Sequence, residues 1–173
     1  MLASTFRRLV TMDTSDFLES FLRCLEDARV PYCVVGGQAV NAYVEPLVSL
    51  DLDVVVAAAE VGRIEEQLRS RFRIESFPHS LNISQAGSDL RVQIQTDPRY
   101  AGFPERARTG NVLGRQMPVA AVDDVLRGKV WAASDPTRRG SKRQKDLADI
   151  ARLLERFPGL RAEVPENLLS KLL

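Results

Sequence analysis

The chain has 173 residues, 45% of them hydrophobic, with 24 basic and 23 acidic side chains for a net charge of +1. That length supports one substantial core rather than two, and the near-neutral balance removes any global pull toward nucleic acid, so such affinity has to come from a local patch. Cys24 and Cys33 are isolated thiols and His79 is the only histidine, which excludes the usual zinc patterns; no apolar run approaches the roughly 20 residues of a membrane span, so the expectation is a cytoplasmic protein with reduced thiols and no membrane partner.

Thr14 or Ser15 caps a predicted helix over 14–28, whose Phe17, Leu18, Phe21, Leu22 and Leu25 make one apolar stripe ended by Arg29-Val30-Pro31. Tyr32 to Val35 reads as a strand and Gln38 to Val44 as a short helix. Leu50 to Ala57 follows as a buried strand and Val61 to Phe72 as a helix, giving a βαβα opening. Arg73 to Phe77, Leu81 to Ser84 and Leu90 to Thr96 read as short strands separated by Pro78-His79 and Ala86-Gly87-Ser88. Prolines and glycines punctuate residues 98–114, which predicts mostly loop with a short helix near Glu105. Val122 to Ala133 and Lys142 to Phe157 are predicted helices, and 158–173 a tail. The division expected is one domain over 1–173, its core at 30–156 and the first helix packed on it.

The chemistry concentrates at Val34-Val35-Gly36-Gly37 and, thirteen residues on, Asp51-Leu52-Asp53-Val54. Strand side chains alternate between faces at a rise of roughly 3.3 Å, so Asp51 and Asp53 point the same way with Cα atoms about 6.6 Å apart. Two such carboxylates repel one another without a metal, whereas Mg²⁺ removes that penalty and takes one or two carboxylates together with phosphate oxygens and water. At a strand-to-helix turn, Gly36 and Gly37 lack the Cβ atoms that would exclude a phosphate, and free helix N–H groups face it.

Apolar-Gly-Gly, a short gap and Asp-apolar-Asp-apolar, here Val35, Gly36, Gly37, Asp51, Leu52, Asp53 and Val54, resembles the signature of the DNA polymerase beta-like nucleotidyltransferase superfamily. The wording Gly36-Gly37-Gln38-Ala39-Val40-Asn41-Ala42-Tyr43, with Lys129 and Lys145-Asp146-Leu147-Ala148-Asp149-Ile150 downstream, looks most like the AbiEii-type branch, which includes toxins of toxin-antitoxin systems. The resemblance covers roughly residues 30–156. It implies an α+β fold with an α/β-like opening, a mixed β-sheet flanked by helices. It further implies Mg²⁺ on Asp51 and Asp53 and transfer of a nucleoside monophosphate from NTP to a hydroxyl of tRNA, other RNA or protein. Catalytic roles fall to Asp51, Asp53 and Lys129, and nucleotide binding to Gly36, Gly37, Lys129, Lys145 and Asp146; a cognate antitoxin or toxin is an implied partner.

One departure matters. Relatives of this kind commonly carry a third carboxylate on a later strand, and the counterpart here is Gln93, which ligates weakly and cannot act as a base near neutral pH. Asp89 shares that face but lies about 13 Å along the strand. A non-catalytic nucleotide-binding or protein-interaction module therefore stands beside the enzyme reading. A dinucleotide-binding domain fits poorly, because the chain lacks GxGxxG and a single ribose-binding acid leaves the second aspartate unexplained.

Seven cations, Arg127, Lys129, Arg138, Arg139, Lys142, Arg143 and Lys145, straddle the loop at 134–141. They suit a triphosphate or an RNA backbone, or equally a solvated face in which Lys142 pairs with Asp146 and Lys145 with Asp149 at i, i+4. Trp131 reads as core, and His79 as a turn residue without catalytic neighbours.

Overall fold

The computed structural model describes residues 16–172. Its frame is a seven-stranded mixed sheet in the order β3-β4-β5-β2-β1-β7-β6, formed by β1 (Tyr32–Val35), β2 (Asp51–Val56), β3 (Arg73–Phe77), β4 (Ser80–Ser84), β5 (Arg91–Gln95), β6 (Arg108–Val112) and β7 (Arg115–Val119). The β2–β5 and β1–β7 pairs run parallel and the remaining neighbours antiparallel. The first helix, α1, is described over residues 16–27, so its expected cap at Thr14 or Ser15 lies outside the described residues.

Period-two alternation decides which side of each strand is dry. Leu52, Val54, Leu81, Ile83, Val92 and Ile94 are buried together with Phe17, Phe21, Ile64 and Leu68, and the Phe17 and Phe72 rings meet at 5.2 Å. The residues between them, Asp51, Asp53, Arg91 and Gln93, are turned to the opposite face.

Several expectations need correction. Within the βαβα opening β1 and β2 are antiparallel, and the eight-residue α2 (Gly36–Tyr43) with the segment after it turns the chain back on itself. The helix expected over 61–72 is two pieces, α3 (Ala58–Val61) and α4 (Glu65–Arg71), interrupted at Gly62, where intrinsic helix propensity is low. Within the stretch expected as loop, α5 (Phe103–Arg106) holds Glu105 as anticipated, but Arg108–Val112 is an edge strand hairpinned to β7. Its turn is Leu113-Gly114, both at positive φ, the geometry that matches the twist of a two-residue hairpin, whereas the sequence signal for such turns is Asn-Gly or Asp-Gly. The expected tail is docked: a 3₁₀ turn at Pro158–Glu163 and α8 (Glu166–Leu169) bury Val164 and Leu168. The two long helices, α6 (Val122–Ser134) and α7 (Gly140–Arg156), match the periodicity that predicts them.

One buried charge ties α5 to α6. Asp124 is fully buried and accepts hydrogen bonds from Arg106 Nε at 2.8 Å and Nη2 at 3.0 Å, and from Arg127 Nη1 at 2.5 Å. Arg106→Met removes the two-pronged partner and leaves a buried carboxylate with one donor group, at a cost of about 1–3 kcal/mol. Urea unfolding should show a lower midpoint at unchanged slope, and an unshifted midpoint would mean that Arg127 alone satisfies Asp124.

Candidate functional site

The parallel β2–β5 register sets Asp51 opposite Arg91 and Asp53 opposite Gln93, and the antiparallel β1–β2 register sets Val35 opposite Asp53. The chain leaving Val35 therefore passes directly over the Asp53 carboxylate. The residue that does so is Gly36, at φ 67°, and a Cβ built there collides with Asp53 Oδ2. Glycine is required twice over, by the left-handed backbone and by the close approach. Gly37 differs, since a Cβ there meets nothing within 4 Å. Both glycines lie in the first turn of α2, rather than before it as the sequence suggests.

The rest of that motif is scaffolding. Gln38, buried in α2, donates to Ser49 O at 2.9 Å, and Tyr43 Oη donates to Ala120 O at 2.7 Å. The Asn41 amide grips Leu47 at both ends, donating to its carbonyl at 2.7 Å and accepting from its N–H at 3.0 Å. The segment between α2 and β2 is thereby fixed just ahead of Asp51.

Asp53 is half-buried, and burial is the main reason its carboxyl is pushed up to about 6; the field of Lys129 opposes this, Asp51 reinforces it, and Arg138 and Lys142 oppose it further. Asp51 is exposed and paired with Arg91, Nε to Oδ1 at 2.8 Å. The pair, with the Gly36 cradle above Asp53, has the donor chemistry that Mg²⁺ takes, two carboxylates with room for phosphate oxygens. Gln93, half-buried beside Asp53, occupies the place of the expected third acid. Asp89 lies outside β5 and is exposed. Among the described residues no group of three or more His, Cys, Asp or Glu side chains is arranged to hold a metal.

Lys129 is almost enclosed and held by Asp146 Oδ1 at 3.0 Å and Asp149 Oδ2 at 2.9 Å. Burial pulls its ammonium down, but Asp149 and Asp146 outweigh that and keep it above the ordinary lysine range. Asp146 is buried and also binds Arg138, while Asp149 also binds Arg152. The i, i+4 pairs with Lys142 and Lys145 are therefore replaced by pairs with Lys129 and Arg138 from outside α7 and, for Asp149, by an i, i+3 pair with Arg152, because the two acids face α6 and not the surface. Lys145 is exposed, and Asp146 holds together Lys129 and Arg138, whose charges are both felt at Asp53.

Two residues went unnoticed in the sequence. Arg91 lies two positions before Gln93, so period-two alternation alone puts it on the same face. Tyr100 is buried against Gly128 and close enough to Asp53 to feel its charge, though burial is the main cause that lifts its hydroxyl to about 12. Its ring meets Trp131 edge-on at 5.1 Å, and Arg99 covers Trp131 at 4.9 Å, so Trp131 is packed against the core. His79 occupies the β3–β4 turn.

No protein-family model and no curated protein sequence matches the chain. Solved structures do. The solution structure of the antibiotic-resistance factor ANT(2'')-Ia superimposes with a TM-score of 0.59 at 16% identity, over 89% of this chain and 91% of that one. This is a nucleotidyltransferase fold. The lincosamide antibiotic adenylyltransferase LnuA, bound to lincomycin, matches at a TM-score of 0.53 and 15% identity over 79% of this chain and 95% of that one. A putative nucleotidyltransferase from Thermotoga maritima matches at 0.50 and 15% over 76% and 86%. The mixed sheet and flanking helices expected from the sequence are those of this fold. No helix among the described residues is long and apolar enough to cross a membrane.

Two outcomes follow from the Gly36–Asp53 contact. Gly36→Ala should cost about 1–3 kcal/mol through strain at positive φ and the clash with Asp53; in the Gly36→Ala/Asp53→Ala double variant the clash is gone, and the two costs should be markedly less than additive. Full additivity would show that the contact carries no energy. Because the folded pKa of Asp53 lies above its unfolded value of 3.8, its contribution favours the fold most below pH 3.8 and is lost as pH rises through about 6. Asp53→Asn should therefore stabilise the metal-free protein at pH 7 by up to about 3 kcal/mol, with the gain shrinking between pH 6 and pH 4. A gain independent of pH in thermal melts would assign it to something other than that carboxylate's burial.

Proposed function

We propose that this chain is a nucleotidyltransferase that moves a nucleoside monophosphate from NTP to a hydroxyl of RNA or protein, in the manner of the AbiEii-type branch, and acts within a toxin-antitoxin pair. The observation that carries the reading is the convergence of Gly36, Asp51 and Asp53 on one face of the sheet, with Lys129, Arg138 and Lys142 bearing on it from α6, α7 and the loop between them. Mg²⁺ on Asp51 and Asp53 would supply positive charge against the charge that develops at the α-phosphate. The chain's own part is positional. Gly37 leaves the space above α2 open for phosphates, Lys142 and Arg138 offset their charge, and Gln93 hydrogen-bonds the attacking hydroxyl without taking its proton, which leaves to water.

ANT(2'')-Ia has been captured with adenylyl-2''-tobramycin and LnuA with lincomycin, so antibiotics belong among the acceptors to be assayed. A second reading, a module that binds nucleotide without transferring it, is favoured by Gln93 standing beside Asp53 where a proton acceptor would sit.

Titration calorimetry should detect NTP binding that depends on Mg²⁺ and vanishes in Asp51→Asn/Asp53→Asn. Equal binding by that variant would remove the site from the acid pair. Transfer of labelled nucleotide to RNA, protein or antibiotic acceptors should be slow in the wild type and faster in Gln93→Asp, where a tenfold gain needs only about 1.4 kcal/mol of transition-state stabilisation. Brisk wild-type transfer that Gln93→Asp leaves unchanged would show that another group already takes the proton; binding without transfer in both proteins favours the module.

A further inference from the structure

We infer that Arg91 is the resident counter-cation of the acid pair, seated on Asp51 until a divalent ion and a polyphosphate arrive together, and that it thereby couples metal binding to nucleotide binding. The inference rests on the proposed function above and gives that site a device of its own. Arg91 stands across the β2–β5 ladder from Asp51, and its Nε lies 2.8 Å from Oδ1. Exposed ion pairs elsewhere among the described residues, Arg23 with Glu19 and Arg69 with Glu65 on one helix turn and Arg115 with Glu19 between β7 and α1, involve no site residue. This one crosses between strands and engages a carboxylate that the metal needs.

The geometry is that of an exchangeable contact. Both side chains are open to solvent, at 72% for Arg91 and 54% for Asp51, so the pair is weak and remakes easily. The contact with Asp51 is an ion pair at Nε, and no side-chain nitrogen of Arg91 makes a hydrogen bond among the described residues. The guanidinium fork is therefore uncommitted, and its donors have the planar geometry that suits a phosphate. A divalent ion on Asp51 alone meets the guanidinium at close range, and the repulsion between two charges and one, even in a water-like dielectric, lowers metal affinity on the order of tenfold. A polyphosphate at the Gly36-Gly37 turn reverses the sign. The guanidinium passes from Asp51 to a phosphate oxygen, and the vacated carboxylate turns to the metal. Gln93 sharpens the effect, because a carboxylate there would give the ion a partner that Arg91 does not contest.

The test uses Mn²⁺ as the probe, followed by the paramagnetic resonance signal of the free ion, alone and with α,β-methylene NTPs that bind without transfer. In the wild type, Mn²⁺ alone should bind weakly and tighten by about tenfold or more with the analogue. Arg91→Gln should bind Mn²⁺ alone about tenfold more tightly and lose most of the tightening. Arg91→Lys keeps the charge and loses the fork, so it should leave metal affinity low without nucleotide and recover only part of the coupling. Unchanged Mn²⁺ affinity in Arg91→Gln, while Asp51→Asn weakens it, overturns the inference and leaves the acid pair as a metal site; undiminished nucleotide tightening in Arg91→Gln overturns the coupling. No Mn²⁺ binding by any of these proteins, with or without the analogue, removes the proposed function and this inference with it.

Discussion

The passage of the chain over the Asp53 carboxylate is the constraint around which the rest is arranged. Any other residue at the first position of α2 would be held off by its own Cβ, and the helix would start further from Asp53. Holding Asp53 there withdraws it from water, which is why its carboxyl titrates near 6. Such a cost is offset when a cation binds the carboxylate, and an acid held this way is a candidate for a binding site. The remaining parts relieve it only partly: Lys129, Arg138 and Lys142 lend positive charge from a distance while their own hydrogen bonds go elsewhere or to solvent.

Much of this was readable from residues in order. Alternation placed Asp51, Asp53 and Gln93 on one face, because a strand's period is fixed by backbone geometry and survives any packing partner. The long amphipathic helices α6 and α7 were readable for the same reason, their apolar spacing being a property of 3.6 residues per turn. The edge strand Arg108–Val112 was not, since an edge needs pairing on one side only and its composition carries no alternation to betray it. Nor was the antiparallel return of β2 beside β1, because pairing direction depends on the path of the segment between them, and that path is set by Gln38 and Asn41 reaching backbone groups rather than by any local propensity.

The ion pairs illustrate the same limit at the level of side chains. Spacing along α7 offers Lys142 to Asp146 and Lys145 to Asp149, a choice that costs nothing locally. The fold prefers Lys129 and Arg138, with Arg152 one turn along α7 beside Asp149, because both acids point at α6 where little water competes. Sequence gives the residues that can pair; only the crossing of the helices says which do.

Arg152 shows what that crossing achieves. Besides Asp149 it reaches Asn41 Oδ1 at 3.3 Å and the Glu45 carbonyl at 2.5 Å, so a single guanidinium joins the helix that carries the cations to the segment that delivers Asp51. The same Asn41 oxygen accepts from Leu47 N. This makes α7 a strut: Lys142 near its start and, through Arg152, the segment leading into Asp51 are joined to one braced member. The brace consists of three contacts from one guanidinium, to Asp149, Asn41 and Glu45.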